Sequence, residues 1–452
     1  MRVYIGIDDT DSPKGMCTTY VAARALRAVE GLGAKAFDYP WLVRLNPNCP
    51  YKTRGNAALC LPVEVDRSDF PKVWEAVIDV VMELADLGNG ADPGVAAFAE
   101  EARQHLEPFY YKAVREIVEV EEALELAERY ALAHWRHGEG RGIVGAVAAA
   151  GADINTLSTY ELLAYRRREM WGKERWVDPE SVIRMDSLFG DCTFDNFDYE
   201  KGEVRLTPHT PCPVLLGIRG TSPEVLPEAL SVLVLGEPYD FYQVFRTNQA
   251  TDMHYRPSSV SELRPFTSAV VRGKVVGRPA IGPGGHVFFE LEDGTGRVKV
   301  AVYEPTGSVR KVVLKLVEGD LVEVYGAVKP KPQGLTLNLE KLRVIELRPL
   351  FVSRAPKCPA CGRTMESAGR GQGYRCERCG YRDPKAQKVP VPVEREISPG
   401  TYEVAVSARR HLVRPLRLEL SHRITPSPLS GLRPREEGRD QQQHEEQQDQ
   451  RH

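Results

Sequence analysis

The first twenty residues constrain the fold of this chain most. Val3, Ile5 and Ile7 alternate as on a buried strand. The run then breaks into Asp8, Asp9 and Asp11, three carboxylates within four positions. Pro13 and Gly15 mark a turn, and Thr18 or Thr19 stands where a helix cap is expected. Val21, Ala22, Ala25, Leu26 and Val29 then share one helical face, and Gly31 and Gly33 end the helix. Close carboxylates raise one another's pKa unless a cation lies among them. Mg2+ takes such oxygens and often shares them with phosphate, and a helix N-terminus offers N–H groups to an anion. Strand, acidic loop, Thr-Thr and helix therefore point to metal-assisted phosphoryl chemistry carried by Asp8, Asp9, Asp11 and Thr18. The competing reading is a polar turn whose Asp side chains cap backbone.

A chain of 452 residues is too long for one core, and ~3 domains are expected. Its net charge of −3 announces no nucleic-acid partner globally. No apolar run approaches the ~20 residues of a membrane span, and the N-terminus reads as a strand, not a signal segment. A cytoplasmic protein without a membrane partner is expected. Of nine cysteines, Cys17, Cys49, Cys60, Cys192 and Cys212 are scattered with no disulfide framework, which suits a reducing compartment.

Trp41–Leu45 and Ala57–Val65 read as strands around a turn at 46–50. Arg44, Lys52 and Arg54 beside that turn suit phosphate contacts or, equally, a structural role. Val73 to Leu84 is an amphipathic helix, and two more helices are expected over 94–107 and 112–134. The glycine-rich stretch 137–146 offers Gly140, Arg141, Gly142 and Gly145 as a phosphate cradle at a helix start. It is neither a Walker A loop nor a Rossmann fingerprint, since no clear strand precedes it, and a plain connection competes. A basic helix is expected around Arg166 to Arg175. Asp195 and Asp198, beside Phe194 and Phe197, would serve a metal or hold a cationic substrate. Residues 204–262 read as a compact α/β unit whose polar loop, with Thr247, Asn248 and Gln249, suits contacts to base edges or phosphates; a solvated loop competes.

Residues 265–348 alternate through five short strands with an Asp-Gly-Thr-Gly hairpin, the pattern of an OB-fold barrel, a class that often binds single-stranded nucleic acid. Cys358, Cys361, Cys376 and Cys379 form two CxxC pairs, the spacing of a structural tetrathiolate zinc site. Over 354–388, nine Lys and Arg face Glu366, Glu377 and Asp383, a net of +6. Such a module suits nucleic-acid contact through Tyr374, Arg375 and Arg378, with a merely stabilising module as the competitor. The basic stretch 409–414 either packs back on the body or follows a nucleic acid. From about 434 the chain is Gln, Glu, Asp and Arg with almost nothing apolar, and disorder is expected.

These motifs occur together in one family. The sequence over roughly 1–420 resembles the archaeal 2-agmatinylcytidine synthetases, which act on the minor isoleucine tRNA. The resemblance is carried by Ile5-Gly-Ile-Asp-Asp-Thr-Asp-Ser12, Met16 to Tyr20, Arg44 to Asn48, Lys52 to Asn56, Gly140 to Ala146, Thr193 to Asn196, Pro213 to Gly220 and Phe245 to Gln249, with the barrel and the four cysteines. Glu139 and the Gln-rich tail depart from the family pattern. The resemblance implies a multidomain α+β enzyme: an ATP-dependent kinase-like α/β catalytic region (1–200), a ferredoxin-like α+β region (201–264), an OB-fold (265–348), a zinc ribbon (354–388), a C-terminal extension (389–433) and a disordered tail (434–452). It implies ATP-dependent ligation of agmatine to C2 of the wobble cytidine of the isoleucine tRNA with a CAU anticodon. The base is phosphorylated on the way, and AMP and phosphate are released. Under it, Asp8, Asp9 and Asp11 hold Mg2+, and Thr18 is a phosphorylatable threonine or a γ-phosphate contact. Gly140, Arg141, Gly142 and Gly145, with Lys52 and Arg54, take ATP. Asp195, Asp198 and Phe194 are expected around agmatine, because a guanidinium wants a carboxylate and an aromatic wall. Thr247, Asn248, Gln249 and the ribbon's Tyr374, Arg375 and Arg378 are expected on tRNA. The rivals are another ATP-dependent RNA enzyme, such as a kinase or ligase, and a non-catalytic RNA-binding protein. Oligomeric state stays open.

Overall fold

A computed structural model describes residues 1–420, so the 434–452 tail and its expected disorder lie outside the described residues. The first half of the chain contributes β1 (Arg2–Asp8), α1 (Thr18–Gly31), β2 (Trp41–Arg44), β3 (Ala57–Glu64), α2 (Phe70–Leu84), β4 (Gly94–Ala99), α3 (Arg103–Arg115), α4 (Val120–Tyr130), β5 (Ala131–Arg136) and α5 (Gly142–Ala150). It is followed by β6 (Thr159–Arg166), α6 (Pro179–Phe189), β7 (Thr193–Phe194), β8 (Val214–Gly220), α7 (Val225–Val232) and β9 (Tyr239–Thr247). All these strands, with the short pair Lys35–Ala36, join one ten-stranded sheet in the order β5-β4-β1-β3-β2-β9-β6-β8-β7. The two halves meet where β9 runs parallel to β2, Arg246 opposite Trp41.

The alternation of β1 sorts its side chains onto two cores. Val3, Ile5 and Ile7 pack with Val21, Leu26 and Val29 of α1 and Val73, Val77 and Val81 of α2. Tyr4 turns to the other face, among residues of α3, α4 and α5. Gly6 lies under α5, where a Cβ would come within 1.9 Å of the Ala146 carbonyl oxygen. α1 begins at Thr18, yet neither threonine caps it: Cys17 is the capping residue and makes no side-chain cap bond.

Three expected helices are corrected. Gly94–Ala99 is a strand, with Ala97 opposite Ile5 of β1. A short apolar run without polar alternation does not distinguish a buried strand from a helix, and here both faces are covered. Ala131–Arg136 is an edge strand alternating half-buried and exposed, so a strand does precede the glycine-rich stretch. The stretch 166–175 is not a basic helix: Arg166 ends Thr159–Arg166, a central strand between β9 and β8, and beyond it there is only a single turn at Arg168–Met170. Arg166 is buried and its Nε donates to Glu237 Oε1 at 2.7 Å. Residue 200 falls between Phe197–Asp198 and Glu203–Val204, the arms of a hairpin, and β6 before it bonds to β8 and β9 beyond it.

The OB-fold expectation is borne out. β10 (Ser268–Ile281), β11 (Val287–Glu292), β12 (Arg297–Val302), β13 (Leu321–Lys331) and β14 (Gly334–Glu346) close a five-stranded barrel through the pairing of β10 with β13, and α8 (Val309–Val313) lies between β12 and β13. Leu350–Arg354 pairs with Val389–Val393 as a two-stranded stem, and the cysteine ribbon lies between these arms. The chain then returns: Gly400–Glu403 adds to β14, and His411 and Leu412 accept backbone bonds from Ala250 and Asp252 at 2.8 Å each. The 409–414 stretch thus packs back on the body.

Candidate active site

A cavity of about 460 Å³ opens beside the end of β1, the N-termini of α1 and α5, and the 49–56 loop. Asp8, Asp9, Asp11, Thr18, Lys52, Arg54, Arg141 and Gly145 all line it, eight of the ten residues that the sequence assigned to phosphoryl chemistry and ATP. Asp8 ends the strand opposite Gly94, and Asp9 turns the chain with φ +58°. Gly145 leaves room for Asp8: a Cβ there would come within 1.8 Å of Asp8 Oδ2. Gly142 lets the first turn of α5 close on β4, 2.4 Å being all that would separate its Cβ from the Gly94 amide nitrogen. These two glycines make close approach to the acidic loop possible. Gly140, at φ +78°, supplies the turn before them and, like Gly142, is not part of the cavity wall.

Burial raises all three carboxyls. Asp8 is pushed well above the usual range by burial and then by the charge of Asp9. Asp9 is pushed up to about 6 by burial and by Asp11 and Asp92, against Arg141. Asp11 is raised by burial, with Arg54 opposing. Asp92 Oδ2 accepts the Arg141 N–H at 3.1 Å, while its Oδ1 is buried without a partner. Three desolvated carboxylates with an orphaned fourth oxygen beside them fit a hard divalent cation.

Arg54 holds the loop rather than reaching outward. Its guanidinium donates to the carbonyls of Met16, Ser12 and Gly15 at 2.6, 2.7 and 3.0 Å, and lies 3.1 Å from Asp11 Oδ2. Arg141 stacks 3.8 Å over the Tyr51 ring. A second group lines the same cavity: the cations Arg44, Lys52 and Arg219, with His411 beside them. Glu161, 3% exposed, anchors it. Arg44 lies 3.6 Å from its Oε2, and Arg219 Nε and Gln249 Nε2 donate to it at 3.3 and 2.6 Å. Burial, then the charges of Arg44, Arg219 and Lys52, push His411 well below the usual histidine range, so its ring is neutral. Sequence reading missed Glu161, Arg219 and His411. A carboxylate inside the apolar run of β6 was the available signal.

Other expected contacts are corrected. Thr247, Asn248 and Gln249 are fully buried, out of reach of an RNA. Asn248 accepts the Arg44 N–H at 2.7 Å and donates to Arg44 O at 2.9 Å, bridging β2 to the end of β9 in place of backbone. Thr247 Oγ1 accepts the Gln249 N–H at 3.2 Å. The expected agmatine carboxylates are spent elsewhere and do not line the cavity. Asp195 pairs with Arg409. Asp198 accepts N–H groups of Glu200, Lys201 and Ser407 at 3.0, 3.2 and 2.9 Å. Phe194 is buried against Leu157, Ala250 and Leu418.

The four cysteines form two matching knuckles. Cys358 N–H bonds to Arg363 O and Cys376 N–H to Tyr381 O, and Gly362 and Gly380 take φ +74° and +77°. All four sulfurs lie within 4.8 Å of one another; ligands at ~2.3 Å from a tetrahedral zinc stand ~3.8 Å apart, so the set fits that ion and leaves no open position. Arg375 and Arg378 are exposed beside it, and Tyr374 packs on the cluster.

An acid-lined cavity with phosphate-sized cationic walls, joined to an OB barrel and a basic four-cysteine ribbon, defines a multidomain enzyme of nucleic-acid modification. Models of the TiaS TCKD domain, the TiaS FLD domain and the TiaS C-terminal zinc ribbon domain match residues 4–139, 140–254 and 355–397, and the OB-fold nucleic acid binding domain matches 269–345. The chain belongs to the TiaS family, the 2-agmatinylcytidine synthetases of the minor isoleucine tRNA. It is 47% identical over 418 residues to the synthetase of Archaeoglobus fulgidus, covering 92% of this chain and 97% of that one. It is 43% identical to that of Thermococcus sibiricus, covering 93% and 97%. Among solved structures, apo TiaS superposes with a TM-score of 0.84 at 45% identity, and the complex of TiaS with its isoleucine tRNA and ATP with 0.81 at 45%, each covering 92% of this chain and 97% of the other. The complex of TiaS with the same tRNA, AMPCPP and agmatine gives 0.79.

Proposed function

We propose that this protein is an ATP-dependent ligase that joins agmatine to C2 of the wobble cytidine in the isoleucine tRNA with a CAU anticodon. The observation that carries the reading is the cavity, where three half-buried carboxylates and the cations Arg44, Lys52, Arg141 and Arg219 surround one space of about 460 Å³, large enough for a nucleotide. Relatives over nearly the whole chain carry that activity in their names. A carbonyl oxygen is a poor leaving group until phosphorylated. Transfer of a phosphoryl group from ATP to O2 of the base makes it one; the agmatine amine then forms its bond to C2, loses a proton, and the C2–O bond breaks with phosphate departing. ATP ends as AMP.

Asp8, Asp9 and Asp11 would hold Mg2+, which supplies neutralisation of phosphate charge. The chain's own part is positioning. Arg44, Arg219 and Lys52 offset anionic charge, and the N-termini of α1 and α5 turn N–H groups to the cavity. Thr18, whose hydroxyl bonds to Asp11, serves as a phosphate contact or acceptor in this reading. Arg54 keeps the acidic loop closed around the carboxylates. Tyr374, Arg375 and Arg378 contact the tRNA. Asp195, Asp198 and Phe194 do not line this cavity, which argues against the agmatine role expected of them. A tRNA substrate places the enzyme in the cytoplasm; among the described residues no helix is long and apolar enough to cross a membrane.

The test is incorporation of labelled agmatine into an isoleucine tRNA transcript bearing CAU, with and without ATP. ATP-dependent incorporation supports the reading. ATP consumption with tRNA but no incorporation would assign another RNA enzyme, and neither would leave an RNA-binding protein.

A further inference from the structure

The cationic wall of the cavity continues into the seam between the sheet and the barrel. Lys52 lines the cavity from the sheet side. Lys329, near the end of β13, approaches from the barrel, and Arg410 of the returning C-terminal segment lies close to both. Asn48 holds Lys329 and Arg410 in place. It is 2% exposed and its amide donates to Thr267 O and Ser268 Oγ of the barrel at 3.0 and 2.8 Å. Its Oδ1 accepts from Arg410 Nη1 at 2.5 Å, and its carbonyl lies 3.5 Å from Lys329 Nζ.

Three cations from three segments are thus held together with little to neutralise them. Among the described residues the carboxylate beside them is Glu340, already engaged by Arg410 Nε at 2.9 Å and by the Tyr255 hydroxyl at 2.7 Å. Among the described residues neither Lys52 nor Lys329 forms an ion pair, and Lys329 rests 5.5 Å from the Phe266 ring. Burial and the charge of Arg410 lower both amines; Arg44 adds to this at Lys52, and Lys52 adds to it at Lys329, which falls to about 8. Like charges held together in a half-desolvated seam are unfavourable until an anion enters.

We propose that Lys52, Lys329 and Arg410 form a binding site for a backbone phosphate of the RNA strand, where that strand passes from the barrel to the cavity. A phosphodiester is favoured over a phosphate of ATP because two of the three cations, Lys329 of the barrel and Arg410 of the returning segment, do not line the cavity, whereas the acidic loop and its cations already surround the nucleotide space. A phosphate clamped here fixes the strand on both sides of the seam, one contact away from the cavity that must receive the base. The site rests on the tRNA reading above and adds to it a positioning contact that spans two domains.

The test uses the full-length protein and the CAU isoleucine tRNA, with binding as the readout. Lys329→Gln is expected to weaken tRNA binding about tenfold at low salt and to lower the slope of log Kd on log salt by about one. Lys329→Arg is expected to restore both, and the KM for ATP and the thermal midpoint are expected to stay at wild-type values. Unchanged tRNA affinity and salt slope in Lys329→Gln would overturn the site. So would a raised KM for ATP with tRNA binding intact, which would give the phosphate to the nucleotide. A wild-type protein that binds the tRNA but incorporates no agmatine would overturn the ligase reading alone. One that does not bind the tRNA would overturn both.

Discussion

Asp8 shows how one side chain depends on a distant glycine. It ends a buried strand, and its carboxyl occupies the space that a side chain on Gly145 would fill. Desolvation and the neighbouring Asp9 make its charge expensive without a cation. Asp8→Asn is expected to lower agmatine incorporation by about a thousandfold or more, ~4 kcal/mol of transition-state stabilisation. The tRNA Kd should change less than about tenfold. Steady-state turnover and filter binding on the same variant check it, and wild-type turnover would remove Asp8 from the metal assignment. At this scale the sequence was informative about residues that cluster locally. Asp8, Asp9, Asp11 and Thr18 fall within eleven positions and all reach the cavity. It was uninformative about residues whose neighbours are remote. Asn248 looks like a polar loop residue, yet it replaces backbone pairing with Arg44, 204 positions away.

At the scale of elements, α5 is the piece on which the site depends. Its small residues let it lie on β1 and β4, and its first turn reaches Asp8 and Asp92. Gly145→Ala is therefore expected to push Asp8 aside. Activity should fall at least tenfold while the fold loses about 1–3 kcal/mol by overpacking, as read by incorporation kinetics and denaturant unfolding. The glycines at 142 and 145 were singled out as a phosphate cradle; packing gives them a second reason, visible only when the neighbouring strand is in place. The cysteine ribbon behaves in the opposite way. Its two knuckles are set by CxxC spacing and a positive-φ glycine each, so the sequence sufficed. Cys376→Ser is expected to abolish stoichiometric zinc, measured by elemental analysis, and to weaken tRNA binding. Metal content equal to wild type would refute the four-cysteine site. The misread Gly94–Ala99 is a central strand covered on both faces, where alternation disappears and local pattern has little to report.

For the whole molecule, the returning segment 400–419 ties barrel to sheet. Glu340 of β14 lies at that junction. Burial would raise its carboxyl, but Arg410, His254 and the Tyr255 hydroxyl outweigh burial and hold it at about 2, below an ordinary value of 4.5. A depressed acid stabilises the fold above the unfolded pKa, and that contribution is lost as pH falls through the folded one. Glu340→Gln is thus expected to cost about 3 kcal/mol at pH 7, with the gap to wild type closing between pH 4.5 and 2; denaturant unfolding across that range measures it. A gap independent of pH would place the cost in packing instead. The sequence by itself determined what depends on neighbours along the chain: the strand, acidic loop and helix at the start, the barrel's alternation, and the thiolate spacing. Those follow from backbone period, turn chemistry and ligand valence, all of which act within a few residues. Only the tertiary structure decided that one sheet runs through both halves of the first 250 residues and that Glu161, Arg219 and His411 complete the cavity. The same holds for the Asp195 and Asp198 carboxylates, which are already spent. The reason is that burial and charge pairing are properties of what arrives from elsewhere in the chain, and a side chain's availability is settled only once its partners are in place.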